Sequence, residues 1–421
     1  MPAPNATEKR PEAGIVLMQR LDALAECSDE SGALTRLFLS PAHRRAINRV
    51  SGWMREAGLA VSLDAAGTLI GDWPAPSPDA PVLLLGSHLD TVRDAGRFDG
   101  ALGVLAALDA IAELREAGVS LPFAVRLLAF GDEEGVRFPV TLTGSRALAG
   151  TLDARTQLAA ADEDGITLGA ALRDFGLDPA GLDRARFTGR ALGFVELHIE
   201  QGPVLERLDR PLGIVSAING AARYRIGVQG EAGHAGTVPM AGRRDALAAA
   251  AEMMVAIRRI GLAHPGLTAT VGRIEAFPGA VNVIPGRALF TLDLRAPSDS
   301  VRATAWGEID TALRRIAAEH VVDISIERTH EAPAAPCDPA LMDALSRACA
   351  SVGVAAPVLP SGAGHDAMAM AALCPMAMLF VRCRGGISHN PAESVRPADA
   401  ALAVRALVGF IRNLVTEGIS S

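Results

Sequence analysis

Apolar residues run along this chain in two rhythms. In the first half, helical spacing alternates with short unbroken apolar runs. Ser40-Pro41 opens a helical pattern that closes near Gly58, with a capping hydroxyl and a proline at its start and a glycine at its end. The runs PVLLLGSH (81–88), AVRLLAF (124–130), GFVELHI (193–199) and, much later, MAMLFVRC (376–383) carry no polar alternation, as suits strands buried on both faces. A helix is predicted from about Ala101 to Gly118. Strand–helix alternation of this kind predicts an α/β domain with a largely parallel sheet.

The rhythm changes over residues 213–329. ARYRIGVQ (222–229) alternates as a half-buried strand does, and Asp245 is placed to cap a helix running to Gly261. LTATVGRI (267–274) and RALFTLDLR (287–295) read as strands, Ser298 starts a helix to about Glu319, and VVDISIER (321–328) is a final strand. The order β-α-β-β-α-β is that of a ferredoxin-like unit. EAPAAPCDP (331–339) reads as a return linker, after which α/β patterning resumes. The predicted architecture is a discontinuous α/β catalytic domain, 1–212 with 330–421, carrying an inserted α+β lid over 213–329.

Charge narrows the partners. The 421 residues carry 40 basic and 48 acidic groups, a formal charge of −8, which argues against a nucleic-acid or anionic-membrane surface. MPAPNATEKRPEAG at the start lacks the apolar core of a secretory signal, and the longest apolar stretch, Met368 to Val381, contains Pro375 and falls short of the roughly 18–20 residues that span a bilayer. Five cysteines, an odd number without a C-x-x-C pair, fit a reducing cytosol.

The polar residues that follow the buried runs carry the chemistry. His88-Leu89-Asp90 and Arg97-Phe98-Asp99 follow the first, Asp132-Glu133-Glu134 the second, and Ser388-His389 the fourth; the third runs into Glu196-Leu197-His198-Ile199-Glu200-Gln201. In open α/β sheets the ligand site lies beyond the carboxyl ends of the strands, so groups distant in sequence converge. A lone histidine at a strand end is more often a satisfied polar residue than a ligand. The coincidence at four strand ends is what points to a metal. Imidazole with carboxylate suits zinc, manganese, cobalt or nickel, and two ions can share a bridging carboxylate. Asp99 is a plausible bridge, with Asp90 orienting His88.

At these residues the sequence resembles the amidase, hydantoinase/carbamoylase family, a branch of the dinuclear metallopeptidases. The matching segments include GSHLDTV (86–92), GRFDGALGV (96–104), GDEEGVRF (131–138), ELHIEQGPVLE (196–206), HAGTVPM (234–240), NVIPG (282–286), LDLR (292–295), SGAGHDAM (361–368) and GISHNPAE (386–393). The resemblance implies two divalent ions (Zn, Mn, Co or Ni). His88, Asp99 and His198 would hold one, and Asp99, Glu134 and His389 the other. Glu133 would be the general base, and Gln201, His234, Asn282 and Arg295 would meet the substrate. The family pattern departs at Val238, where threonine is usual, and at Gly233, where asparagine is common. The resemblance also suggests a homodimer through the lids.

The implied reaction is hydrolysis of the carbamoyl C–N bond of a small ureido acid, releasing ammonia and carbon dioxide. N-carbamoyl-L-amino acids, N-carbamoyl-β-alanine and allantoate all remain open as substrates. A dinuclear aminopeptidase or N-acyl amino acid deacylase is the alternative, and His198, where those enzymes place a carboxylate, separates the two. Glu133 beside Glu134 suits a proton shuttle, and His234 is a candidate donor to the developing oxyanion. Arg295 offers a planar fork to a substrate carboxylate. Asn282 sits in a turn, and Gly364, with Gly362 and Gly386, could let backbone amides approach an anion. His365 and Asp366 read as helix-start residues.

Overall fold

In the computed structural model, residues 11–417 are described. Residues 1–10, most of the segment read above for a secretory signal, lie outside them. No helix among the described residues is long and apolar enough to cross a membrane. The chain divides into two compact units. One comprises residues up to Ser216, Cys337–Leu359 and the chain from Gly364 onward; the other comprises Ala217–Pro336 with Pro360–Ala363.

The four unbroken apolar runs form the strands Val82–His88, Ala124–Phe130, Ala191–Ile199 and Met376–Val381. They lie side by side in the order Ala124–Phe130, Val82–His88, Ala191–Ile199, Met376–Val381, and all are parallel. The fold is therefore mixed α/β with a parallel centre. Leu69–Trp73 pairs antiparallel at one flank, and Leu212, Gly213 and Ile214 pair antiparallel with Val381, Phe380 and Leu379 at the other. That last pairing draws residues 212–214 into the larger sheet, so the chain passes into the second unit after Ser216 rather than at 213.

Local chemistry sets the flanking elements. The helix opened by Ser40 runs Pro41–Glu56, and the Ser40 hydroxyl accepts the His43 N–H at 3.1 Å. The helix Ala101–Glu116 is apolar nearly all round, and eleven of its sixteen residues are buried, as a helix enclosed by the core requires. Its close approach to the Ala191–Ile199 strand depends on Gly103, where an added Cβ would lie 2.1 Å from the Leu197 carbonyl oxygen. Arg36 is buried, with Nε donating to the Leu89 carbonyl at 2.6 Å and Nη1 to that of Leu24 at 3.0 Å; burial lowers its pKa to about 10. It thereby ties down the turn that leaves the Val82–His88 strand.

The second unit is an antiparallel sheet in the order Ile274–Phe277, Arg287–Ala296, Gly220–Gln229, Asp323–Ala332, with helices Ala246–Ala263 and Asp299–Glu319. Asp245 caps the first helix through the N–H groups of Leu247 and Ala248, both at 3.0 Å. Buried positions alternate along Gly220–Gln229, and Tyr224 stacks on Trp306 of the second helix at 3.6 Å. Two expectations differ in detail. The single strand expected at 267–274 is two short ones, Thr268–Thr270 and Ile274–Phe277. Thr270 pairs with Asp293 but Ile274 with Phe290, so four residues on one side span three on the other, and a bulge at Gly272 interrupts the ladder. The last strand extends to Ala332, taking up residues expected to be linker, because Glu331 and Ala332 pair with Ala222 and Ala221.

Gly103→Ala should lower the urea midpoint without changing the m-value, a loss of about 1–3 kcal/mol from overpacking against the strand that carries His198. A midpoint equal to that of the unaltered protein would show that helix and strand can separate at no cost.

Candidate metal centre

Each strand end delivers its side chains to one place in the first unit. His88 ends its strand, His198 stands next to the end of its own, and the loops after the Ala124–Phe130 and Met376–Val381 strands bring Glu133, Glu134 and His389. Asp99 arrives from the turn before the helix Ala101–Glu116. That turn needs Gly100, which has φ +64° and whose Cβ, if it had one, would sit 2.4 Å from the His88 ring.

Asp99 lies at the centre. Its Oδ1 is 3.4 Å from His88 Nε2 and 3.1 Å from His198 Nε2; its Oδ2 is 3.4 Å from His389 Nε2, which is 3.5 Å from Glu134 Oε2. The structure thus gathers His88, Asp99 and His198 in one group able to hold an ion, and Asp99, Glu134 and His389 in another. Glu133 joins His88 and Glu134 in a third.

The tautomers show what belongs there. His88 Nδ1 lies 3.0 Å from the Asp90 carbonyl oxygen, and His198 Nδ1 lies 2.9 Å from that of Ile199. A carbonyl only accepts, so each Nδ1 carries the hydrogen, and each ring when neutral turns an Nε2 lone pair towards the buried Asp99 carboxylate. Glu134 Oε1 is also buried without a hydrogen-bond partner. Lone pairs converging on a carboxylate fit a divalent cation, and nitrogen with oxygen donors fits the borderline transition metals.

The same groups also compete for protons. Burial resists charge on Asp99, yet His198, His389 and His88 hold it well below its ordinary range. Burial likewise opposes charging of His88, while Asp99, Glu133 and Asp90 hold it well above its ordinary value. Burial raises Glu133 strongly, and Glu134, Asp366 and Asp90 reinforce the shift against the pull of His88. Glu134 rises to about 7 through burial and the neighbouring Asp99.

Asp90 has a different task from the one expected. Its carboxylate is 3.9 Å from His88 Nδ1, and its carbonyl makes the closer contact. The carboxylate oxygens instead accept the N–H groups of Glu133 and Glu134, each at 3.2 Å, fixing the turn that presents both.

The remaining expected site residues are placed as follows. Gln201, at φ +55°, donates to Asp99 Oδ2 at 2.7 Å. Gly364 precedes the short helix Asp366–Met370. His234 and Asn282 fall together in the second unit, where His234 pairs with Val283 in a two-stranded ribbon and Ala235 N–H donates to the Asn282 carbonyl at 2.9 Å. Gly233 and Val238, the two departures from the family pattern, adjoin: a Cβ at Gly233 would meet Val238 Cγ2 at 3.1 Å. Arg295 ends its strand with Nε and Nη2 on the two carboxylate oxygens of Asp293, at 2.7 and 3.1 Å, and Nη1 on the Gly362 carbonyl at 2.8 Å.

Four residues were given no part in the site from the sequence. His365 is buried, its ring edge-on to His198 at 4.5 Å. Glu196 accepts from Ser87 Oγ at 2.8 Å and from Ala367 N–H at 3.0 Å. Ser388 and Glu393 contact Asp99 directly. All four lie in the matched segments, but polar partners inside the fold leave no periodic signal.

A family model, Peptidase family M20/M25/M40, matches residues 84–413. The chain belongs to this family. It is 43% identical over 393 residues to the N-carbamoyl-L-amino acid amidohydrolase of Geobacillus stearothermophilus, covering 93% of this chain and 96% of that one. It is 42% identical to a probable allantoate deiminase of Oryza sativa subsp. japonica, covering 93% and 87%. A crystal structure of an amidase of the hydantoinase/carbamoylase family from Burkholderia multivorans superposes with a TM-score of 0.90 at 33% identity, covering 96% of this chain and 98% of that one. The resemblance to the amidase, hydantoinase/carbamoylase family read from the matched segments is borne out by these relatives.

Adding Zn²⁺ or Mn²⁺ to chelator-treated protein should raise its Tm, by the equivalent of about 2.7 kcal/mol at a hundredfold excess over Kd. His389→Ala should cut that gain. An unchanged gain in the variant would place the ion elsewhere.

Proposed function

We propose that this M20-family protein is a dinuclear metallohydrolase that cleaves the carbamoyl C–N bond of a small ureido acid, of the N-carbamoyl-L-amino acid or allantoate type. The observation that carries the reading is the shared carboxylate: Asp99 faces two imidazole lone pairs on one oxygen and His389 on the other. His88, Asp99 and His198 would hold one divalent ion, and Asp99, Glu134 and His389 the second. When bound, such ions supply Lewis acidity towards the ureido carbonyl and make water acidic enough to attack near neutral pH.

The chain's own residues do the rest. Glu133 takes the proton of the attacking water, for which its raised pKa is suited, and hands it to the leaving nitrogen. The amine departs and the carbamic acid that remains decomposes to carbon dioxide and ammonia. His234 is our donor to the developing oxyanion. Its Nδ1 accepts the Gly236 N–H at 3.1 Å, so its hydrogen is on Nε2 and directed away from that turn. Asn282, beside it, assists.

Arg295 is assigned the substrate carboxylate. Asp293 occupies the side-on pair of donors, and Gly362 takes one hydrogen of Nη1. One hydrogen on each terminal nitrogen is left, which is the end-on fork for a second carboxylate. We also assign Gly364 and Gln201 to substrate binding. The second unit then serves as lid and dimerisation surface; exposed Val255 and Leu262, a helical repeat apart on Ala246–Ala263, support the latter. Five free cysteines, four of them buried, are consistent with a cytoplasmic enzyme.

Assay of a panel of ureido acids for ammonia release tests the proposal. Glu133→Gln should retain metal and fold while losing at least about 10²-fold in turnover; near-normal turnover would remove Glu133 from the mechanism. Arg295→Ala should cost more in kcat/KM on N-carbamoyl acids than on the matching amides, on the order of 2–5 kcal/mol for the acids. Arg295→Lys should already raise KM, since it keeps the charge and loses the fork. Equal losses on acid and amide would make Arg295 structural.

A further inference from the structure

We infer that Ser388 and Glu393 form a positioning clamp that joins Asp99 to the loop carrying His389 and thereby sets the affinity of the ion held by Asp99, Glu134 and His389. The inference rests on the two-ion reading above.

The clamp grips Asp99 twice. Glu393 is buried at 5% exposure, and its Oε1 accepts the main-chain N–H groups of Phe98 at 2.8 Å and Asp99 at 3.1 Å. Its Oε2 is 3.1 Å from Ser388 Oγ, whose hydroxyl donates to Asp99 Oδ2 at 2.7 Å. Main chain and side chain of one aspartate are thus held from a loop nearly three hundred residues away in sequence. The fit is close: a Cβ on Gly96 would lie 2.3 Å from that of Glu393.

The grip is one-sided. Oδ2 is the oxygen that faces His389; Oδ1 faces His88 and His198. His88 and His198 are buried at 1% and held through Nδ1, whereas His389 is half exposed and sits at φ +55°. His389 therefore depends on its neighbours for its place, and Ser388 is the adjacent residue. Release of the clamp loosens His389 and leaves Oδ2 with the Gln201 amide, at 2.7 Å, in place of two donors, while the oxygen between the two buried histidines keeps its surroundings. Ser388 and Glu393 act through Asp99 and are positioning residues.

Titration of metal-free protein with Co²⁺, read by calorimetry and by the visible absorption of the bound ion, tests this without recourse to activity. The native chain should take up two ions. Ser388→Ala should bind the first as before and the second about 10- to 100-fold more weakly, the usual cost of losing a group that orients a ligand. Ser388→Thr, which keeps the hydroxyl, should restore the second ion. Glu393→Ala should weaken it as much or more, and if that variant folds poorly the two Ser388 variants decide. The Tm of metal-free Ser388→Ala should match that of the native chain. Two native affinities in Ser388→Ala overturn the clamp, as does equal weakening of both ions with a lowered metal-free Tm, which marks a purely structural role. Failure of the native chain to take up two ions instead overturns the two-ion reading, and the clamp's assignment with it.

Discussion

A carboxylate held inside a protein must be surrounded by donors or positive charge, and Asp99 is buried among groups that supply both. Gln201 and Ser388 donate to one of its oxygens, and three imidazole nitrogens face the pair. Two of those rings are committed through Nδ1 to main-chain carbonyls, so their remaining nitrogens are acceptors unless they gain a proton. A cation, whether proton or metal, is what the arrangement accommodates. Burial and this crowding together set the neighbouring chemistry: burial and adjoining carboxylates raise Glu133 and Glu134, and the pairing of Asp99 with the imidazoles moves Asp99 and His88 in opposite directions.

The sheet makes such a concentration of ionisable groups tolerable. Four parallel strands buried on both faces supply a rigid, apolar floor, and their ends lie side by side. Each side chain is then fixed by a main-chain contact next to it: the Asp90 carbonyl for His88, the Ile199 carbonyl for His198, and the Glu133 and Glu134 N–H groups for Asp90. Hydrogen bonds to the peptide backbone cannot be lost without moving the strand itself, so the ligand positions inherit the stiffness of the core.

The two units differ in chemistry. The first concentrates groups that could hold a cation. The second carries residues suited to an organic acid: a histidine whose hydrogen is directed to Nε2, a turn asparagine, and an arginine braced by Asp293. A guanidinium braced in this way would lose less entropy on meeting a carboxylate, because its fork is already oriented.

By itself the sequence determined the elements and the list of ligand types. Unbroken apolar runs suit strands buried on both faces, and the polar residues that follow them share one side of a parallel sheet, so a set of candidate ligands at four strand ends was legible, from which the family resemblance singled out His88, Asp99, Glu134, His198 and His389. The tertiary structure alone decided the pairings and the tasks. Residues 212–214 joined the larger sheet because Met376–Val381 offered an open edge, which no local pattern records. Asp90 turned its carboxylate to the Glu133–Glu134 turn and its carbonyl to His88, a choice between two acceptors on one residue. Ser388 and Glu393 are ordinary polar residues in sequence and reach Asp99 only when a loop nearly three hundred residues downstream folds over it. Periodicity reports which side chains avoid water. It carries no information about which buried donor meets which buried acceptor, since hydrogen bonds are settled by geometry to within a few tenths of an ångström.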